Sequence, residues 1–215
     1  MKMCQPWDIW AQSLGKARAM RSYFRVCLGF AIVIGASCTT AYADGTFPTS
    51  LATEDQQRLE AFETARTEAI AEARAGGSPE DVSVLDEVLS GRPTTMTPAE
   101  MAGIWRCRTI KLGGLLPLTI YRDFKCRITD DGAGLRLEKL TGSQRTGGTF
   151  YDLADETRLG YAGAGWVAGE APMQYGSDPE RNQVGYLVVL SPERMRLELP
   201  LPQFESKFDI LELRR

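Results

Sequence analysis

Apolar positions change their period once along this chain. Across residues 53–75, TEDQQRLEAFETARTEAIAEARA, Leu59, Phe62, Ala65, Ala69, Ile70 and Ala73 recur at helical spacing on one face. Thr53 reads as the N-cap, with Gln56 completing a capping box. Glu54 and Asp55 suit the positive end of the dipole, and Gly76-Gly77 stops the helix. Ser78-Pro79 opens a second helix with Val82, Leu85, Val88 and Leu89 as its stripe and Gly91 as its end. After the linker RPTTM, Thr97-Pro98-Ala99-Glu100 repeats the cap, proline and acid pattern for one more turn. The polar face of the first helix mixes Glu with Arg and lacks the basic excess of a membrane-surface helix, so packing against its own protein is expected.

From Gly103 onward the period is two. Strands are predicted near 103–112, 118–129, 134–141, 146–153, 157–168, 184–191, 194–200 and 204–213, separated by turn residues such as DDGAG at 130 and SPE at 191. Trp105, Cys107 and Thr109 share a face, as do Phe124, Cys126 and Ile128. In the last strand, Phe204, Ser206, Phe208 and Ile210 fall on one side, with Glu205, Lys207 and Asp209 on the other. The expected fold is α+β: an N-terminal helical hairpin, then an antiparallel meander of about eight strands closing as a lipocalin-like barrel or folding as a sandwich.

Before the first helix, MRSYFRVCLGFAIVIGASCTTAYA at 20–43 has a basic head, a short apolar run and an Ala-x-Ala end. That order predicts a signal peptide cleaved before Asp44; the run is too short for a lasting membrane span. Met20 would start such a leader alone, making 1–19 an over-extended start, and Cys38 offers a lesser lipidation alternative. The expected organisation is a leader over 1–43, a helical segment and linker over 44–97, and a β domain over 98–215. Without the leader the chain keeps 20 basic and 27 acidic residues, which argues against nucleic acid as a partner. It also keeps only Cys107 and Cys126. In an exported protein these are expected to form one disulfide between the first two strands, closing a loop of about 20 residues and contributing roughly 3 kcal/mol. The rival, a reactive thiolate, lacks a histidine and has only Arg106, Arg108, Lys125 and Arg127 nearby.

GIWR resembles the Gly-x-Trp opening of lipocalin-like barrels and of small secreted protease inhibitors of Gram-negative bacteria. The later lipocalin motif is absent. The ordered phrases GIWRCRTIKLGG, FKCRI, EKLTGSQRTGG, NQVGYL and PQFESKFDILEL resemble a family of Gram-negative envelope proteins, domain of unknown function 4893. That resemblance spans the mature chain and implies a periplasmic setting. It supplies no catalytic residues.

The chain has no histidine, which removes Ser-His-Asp and Cys-His catalysis and His-built zinc sites; no metal or cofactor is expected. GAGWVAG at 163–169 lacks the context of a dinucleotide fingerprint and fits a small-residue strand. Three constellations remain. EKLTGSQRTGG presents Lys139, Ser143, Gln144 and Arg145 around a turn, suiting an anionic ligand, or is a plain polar hairpin. Ser206 would pair with Lys139 if the strands meet across the barrel, or is a core hydroxyl bonded to backbone. Asp152, Asp155, Glu156, Asp178 and Glu180, with Tyr151, Tyr161, Trp166 and Tyr175, could form a glycan site or be hairpin packing. The favoured reading is a non-enzymatic periplasmic module holding a small anionic ligand or an envelope protein; the alternative is a small envelope hydrolase acting on glycan or peptide.

Overall fold

The computed structural model describes residues 47, 49–132, 134–153 and 157–215; the leader, Cys38, Asp155 and Glu156 lie outside them. Nine strands form one antiparallel sheet: β1 (Gly103–Leu112), β2 (Leu118–Ile120), β3 (Phe124–Asp130), β4 (Leu135–Lys139), β5 (Gln144–Tyr151), β6 (Arg158–Val167), β7 (Asn182–Ser191), β8 (Arg194–Pro200) and β9 (Phe208–Arg214). Each strand from β3 to β9 pairs with the next, and β9 returns to β1 from Arg106↔Arg214 to Leu112↔Phe208. β2 and β3 occupy the same side of β1 in succession, so the closed barrel has eight positions. The strand expected over 118–129 is therefore two pieces, interrupted at Tyr121–Asp123, where Tyr121 N–H still donates to the Thr109 carbonyl at 3.0 Å. GAGWVAG lies in β6 and its exit, as a small-residue strand.

Burial on both surfaces explains the core. Trp105, Cys107, Cys126, Ile128, Leu137, Phe150, Tyr161, Leu197 and Leu213 are among the side chains that fill the interior. Ile110, Leu112, Phe208 and Ile210 point outward beneath helices α2 (Phe62–Gly76) and α3 (Pro79–Leu89). The apolar side of β9 therefore faces the helices, while Asp209, Leu211 and Leu213 take the inward register. The strand begins at Phe208, not near 204, because 201–206 is a loop with left-handed backbone at Leu201 (φ 45°) and Glu205 (φ 72°).

The helix expected over 53–75 breaks at Ala61 into α1 (Thr53–Glu60) and α2. The break lets Leu59 join Phe47, Leu51 and Val184 while Phe62 joins the cluster under α2. Thr53 is not the cap: Ala52 precedes the first turn, and Gln56 donates to the Leu51 carbonyl at 2.8 Å. Asp55 accepts from Arg58, Tyr175 Oη and Asn182 Nδ2, tying α1 to β7 and the loop before it. Ser78 caps α3 as expected, and the helix ends at Leu89 with Gly91 just beyond the C-cap in left-handed backbone (φ 100°); Arg196 donates to the carbonyls of Val88 and Leu89.

One barrel end is sealed. Thr97 and Glu100 form the expected capping box of α4 (Pro98–Met101), which sets Met101 beside Trp105. Trp105 Nε1 donates to the Met101 carbonyl at 2.9 Å, and the Arg215 guanidinium lies 3.9 Å from the ring. Cys107 and Cys126 are joined by a disulfide between β1 and β3, inside the barrel. Among the described residues no helix is long and apolar enough to cross a membrane.

Candidate functional site

The opposite end collects the C-termini of β1, β4, β6 and β8 and the N-termini of β5, β7 and β9. There the inward register turns polar. On β1, Trp105, Cys107 and Thr109 are followed at the same spacing by Lys111; on β4, Leu135 and Leu137 by Lys139. Deeper in, the Thr146 hydroxyl shares a hydrogen bond with Tyr161 Oη at 3.0 Å and donates to Gln183 Oε1. Burial raises the Tyr161 phenol well above its ordinary value, so this floor stays neutral.

The four lysines beyond residue 43 differ sharply. Lys111 is buried, 2.7 Å from Glu205 and 4.0 Å from Asp209. Burial works to lower its pKa, but Asp209 and Glu205 outweigh that and leave it raised. Lys207 pairs with Glu72 at 2.6 Å, and Lys125 is exposed. Lys139 is only 6% exposed, yet no carboxylate pairs with it among the described residues. Its ammonium donates to Thr109 Oγ1 at 3.2 Å and lies 4.2 Å from the Phe124 ring centre. Burial, then the neighbouring charges of Arg145 and Lys111, push its pKa down to about 8 against the weaker pull of Asp209. Asp209 is the converse case. Burial pushes its carboxyl up to about 6 against the pull of Lys111 and a 2.6 Å hydrogen bond from Ser206 Oγ.

Two openings meet here. A cleft of about 440 Å³ is walled by Arg145, Trp166, Glu180, Arg181 and Gln183 and roofed by the 202–205 loop, with Lys111 and Asp209 at its base. Gly165 lines it, and a Cβ there would meet the movable Gln183 amide at 3.3 Å and the Arg145 carbonyl at an ordinary 3.7 Å, so the missing side chain keeps the wall open. The roof is anchored where the Glu205 carbonyl accepts from Leu115 N–H at 3.0 Å. Gly114 (φ 87°) permits this, since a Cβ there would lie 2.6 Å from that carbonyl. A smaller pocket of about 100 Å³ lies over Lys139, lined by Thr109, Tyr121, Phe124, Ser143 and Gln144. Gln144 borders both.

The structure thus places Lys139, Ser143 and Gln144 at the small pocket and Gln144 and Arg145 at the cleft. Ser206 lines neither; it is spent on Asp209 while Lys139 bonds to Thr109, so the two do not pair. Arg145 has no carboxylate partner among the described residues. Of the aromatic residues considered for a glycan, Tyr151, Trp166 and Tyr175 line one groove of about 440 Å³ on the outer side of β4–β6, and only Tyr161 lies apart from them. Tyr161 is inside the barrel, Tyr151 stacks on Phe47, and Tyr175 bonds to Asp55 and Ala52. Asp178 caps the short turn before β7. Trp166 separates the cleft from that groove. Among the described residues no three Asp, Glu or Cys side chains gather as for a metal ion. Lys111, Asp209 and Glu205 are not among the candidate site residues read from the sequence, although Glu205 and Asp209 fall on the polar side predicted for the last strand. The alternation Trp105, Cys107, Thr109, continued one step, was the signal for Lys111; Asp209 was hidden because its strand is apolar on its outer side.

The family profile of the Domain of unknown function (DUF4893) matches residues 49–213, and the chain belongs to that family. No curated protein matches it.

Proposed function

We propose that this family member is an exported binding protein whose open barrel end holds a small ligand with an anionic group. Arg145 carries the reading: a half-buried guanidinium on the wall of a 440 Å³ cleft, without a carboxylate partner among the described residues. A guanidinium fork there suits a carboxylate or phosphate, and Lys139 nearby, which no carboxylate pairs directly among the described residues, adds to the positive potential. Lys111 adds less, because Glu205 already neutralises it. Export is supported by the leader-like order of residues 20–43 and by a disulfide inside the barrel, which suits an oxidising periplasm.

The test is ligand-induced thermal shift of the mature chain against small carboxylates, phosphates and glycan fragments. The expected result is a rise in Tm with an anionic compound that Arg145→Ala abolishes. No rise with any compound would point to a protein partner instead.

A second reading rests on Asp209, whose raised carboxyl shares the cleft with Glu205 and Glu180. Such a group could act as general acid in an envelope glycan or peptide hydrolase. Its hydrogen bond from Ser206 and the Lys111–Glu205 pair favour a structural role. Turnover of peptidoglycan fragments, lost in Asp209→Asn, would reverse that preference.

A further inference from the structure

We infer that Lys139 is a reactive amine that captures small oxo acids, condensing with their aldehyde or ketone carbon. An ammonium removed from water is costly unless a counter-ion compensates it, and Lys111 and Lys207 each have one. Lys139 has a hydroxyl and an aromatic ring in contact instead, and the Asp209 carboxylate acts on it only from beyond ion-pair distance, too weakly to offset burial and the charges of Arg145 and Lys111. Desolvation beside other cations is the environment in which a lysine side chain becomes a nucleophile, because both influences favour the neutral amine. Its pKa of about 8 follows from that placement. The nitrogen is also reachable, since the 100 Å³ pocket over it admits a molecule of a few non-hydrogen atoms.

The pocket's neighbour supplies the rest of the ligand class. Gln144 joins it to the Arg145 cleft, so a carbonyl at Lys139 and an acid group directed toward Arg145 belong to one small molecule. This acid arm rests on the binding reading above; the amine's reactivity does not. The condensation balances without a further reagent. The ammonium releases a proton to solvent, the nitrogen lone pair attacks the carbonyl carbon, and the former carbonyl oxygen leaves as water, giving a C=N bond.

The test treats the mature protein with glyoxylate, or with acetaldehyde as the acid-free probe, and adds borohydride to fix any imine as a stable secondary amine. Peptide mass mapping then locates it. At pH 8 about half of Lys139 is free amine, against under about 1% for an ordinary lysine. The expected result is labelling of Lys139 at least about tenfold above Lys111, Lys125 and Lys207 with both probes. Lys139→Arg should remove that label alone. No adduct at Lys139, or labelling spread evenly over the four lysines, would overturn the inference even if carboxylates still raise Tm. Arg145→Ala should reduce labelling by glyoxylate and spare that by acetaldehyde. If it spares both, the acid arm is wrong while the amine's reactivity stands.

Discussion

The two ends of the barrel are built from the same strands to opposite designs. At the sealed end, inward positions carry Trp105, Cys107, Cys126 and Ile128, α4 closes the opening, and the Trp105 indole has its hydrogen bond. At the open end the same registers carry Lys111, Lys139, Gln144 and Asp209, several with unfavourable burial. The first end stabilises; the second holds charge that a stability-optimised core would exclude. Such an imbalance is expected where function is retained at some cost in stability.

Breaking the sealed end should have the largest effect. Trp105→Ala is expected to destabilise by about 3–5 kcal/mol, as loss of a fully buried indole does. Urea unfolding measures it, and a loss below about 1 kcal/mol would mean that the indole does not hold this end. Removing the disulfide with Cys107→Ala/Cys126→Ala should cost about 3 kcal/mol in the chain-entropy account, read from the same curves.

At the open end the sign reverses. Because the folded pKa of Lys139 lies below its ordinary value, the native state resists that proton, and stability should rise as pH climbs from about 8 toward 10.5. Lys139→Met should therefore raise stability at pH 7 by about 2 kcal/mol, allowing for its lost ring contact. Its melting temperature and a flattened alkaline slope check this.

Asp209 gives a second signature. Its folded pKa lies above its ordinary value, so the native state binds the proton more tightly than the unfolded chain does. Its contribution is fully present below about pH 4 and is lost as pH rises through about 6. Asp209→Asn should remove that fall, on the order of 2–3 kcal/mol, from a pH series of denaturation curves. The least perturbing change is Arg145→Ala. It should alter stability by less than about 0.5 kcal/mol, because the guanidinium holds no carboxylate among the described residues.

Much of the barrel could be read from alternation. IWRCRTIK announced β1 and the side on which its cysteine lies, and the turn residues at 130 and 191 fall where β3 gives way to β4 and β7 to β8. The reading failed where outer surface is also buried. FDILELR places Phe208 and Ile210 under helices, so the rule that apolar residues face the interior inverted β9 and concealed Asp209. Arg196 and Glu198 escaped for the same reason: they are buried outside the barrel, with Glu198 paired to Arg66 of α2. The turn around Ser143 and Arg145 was legible because glycine and polar residues cluster there. Its connection to Lys111 was not, since it depends on barrel closure through pairing of β1 with β9, 100 residues apart in sequence.

The contrast between the two ends is tested most directly by amide chemical-shift mapping of the mature protein titrated with glyoxylate. Saturable shifts are expected at Lys111, Gln144, Arg145, Gly165 and Gln183, with Trp105, Cys107 and Cys126 unmoved. Shifts centred on the sealed end, or none at the open end up to millimolar ligand, would contradict it.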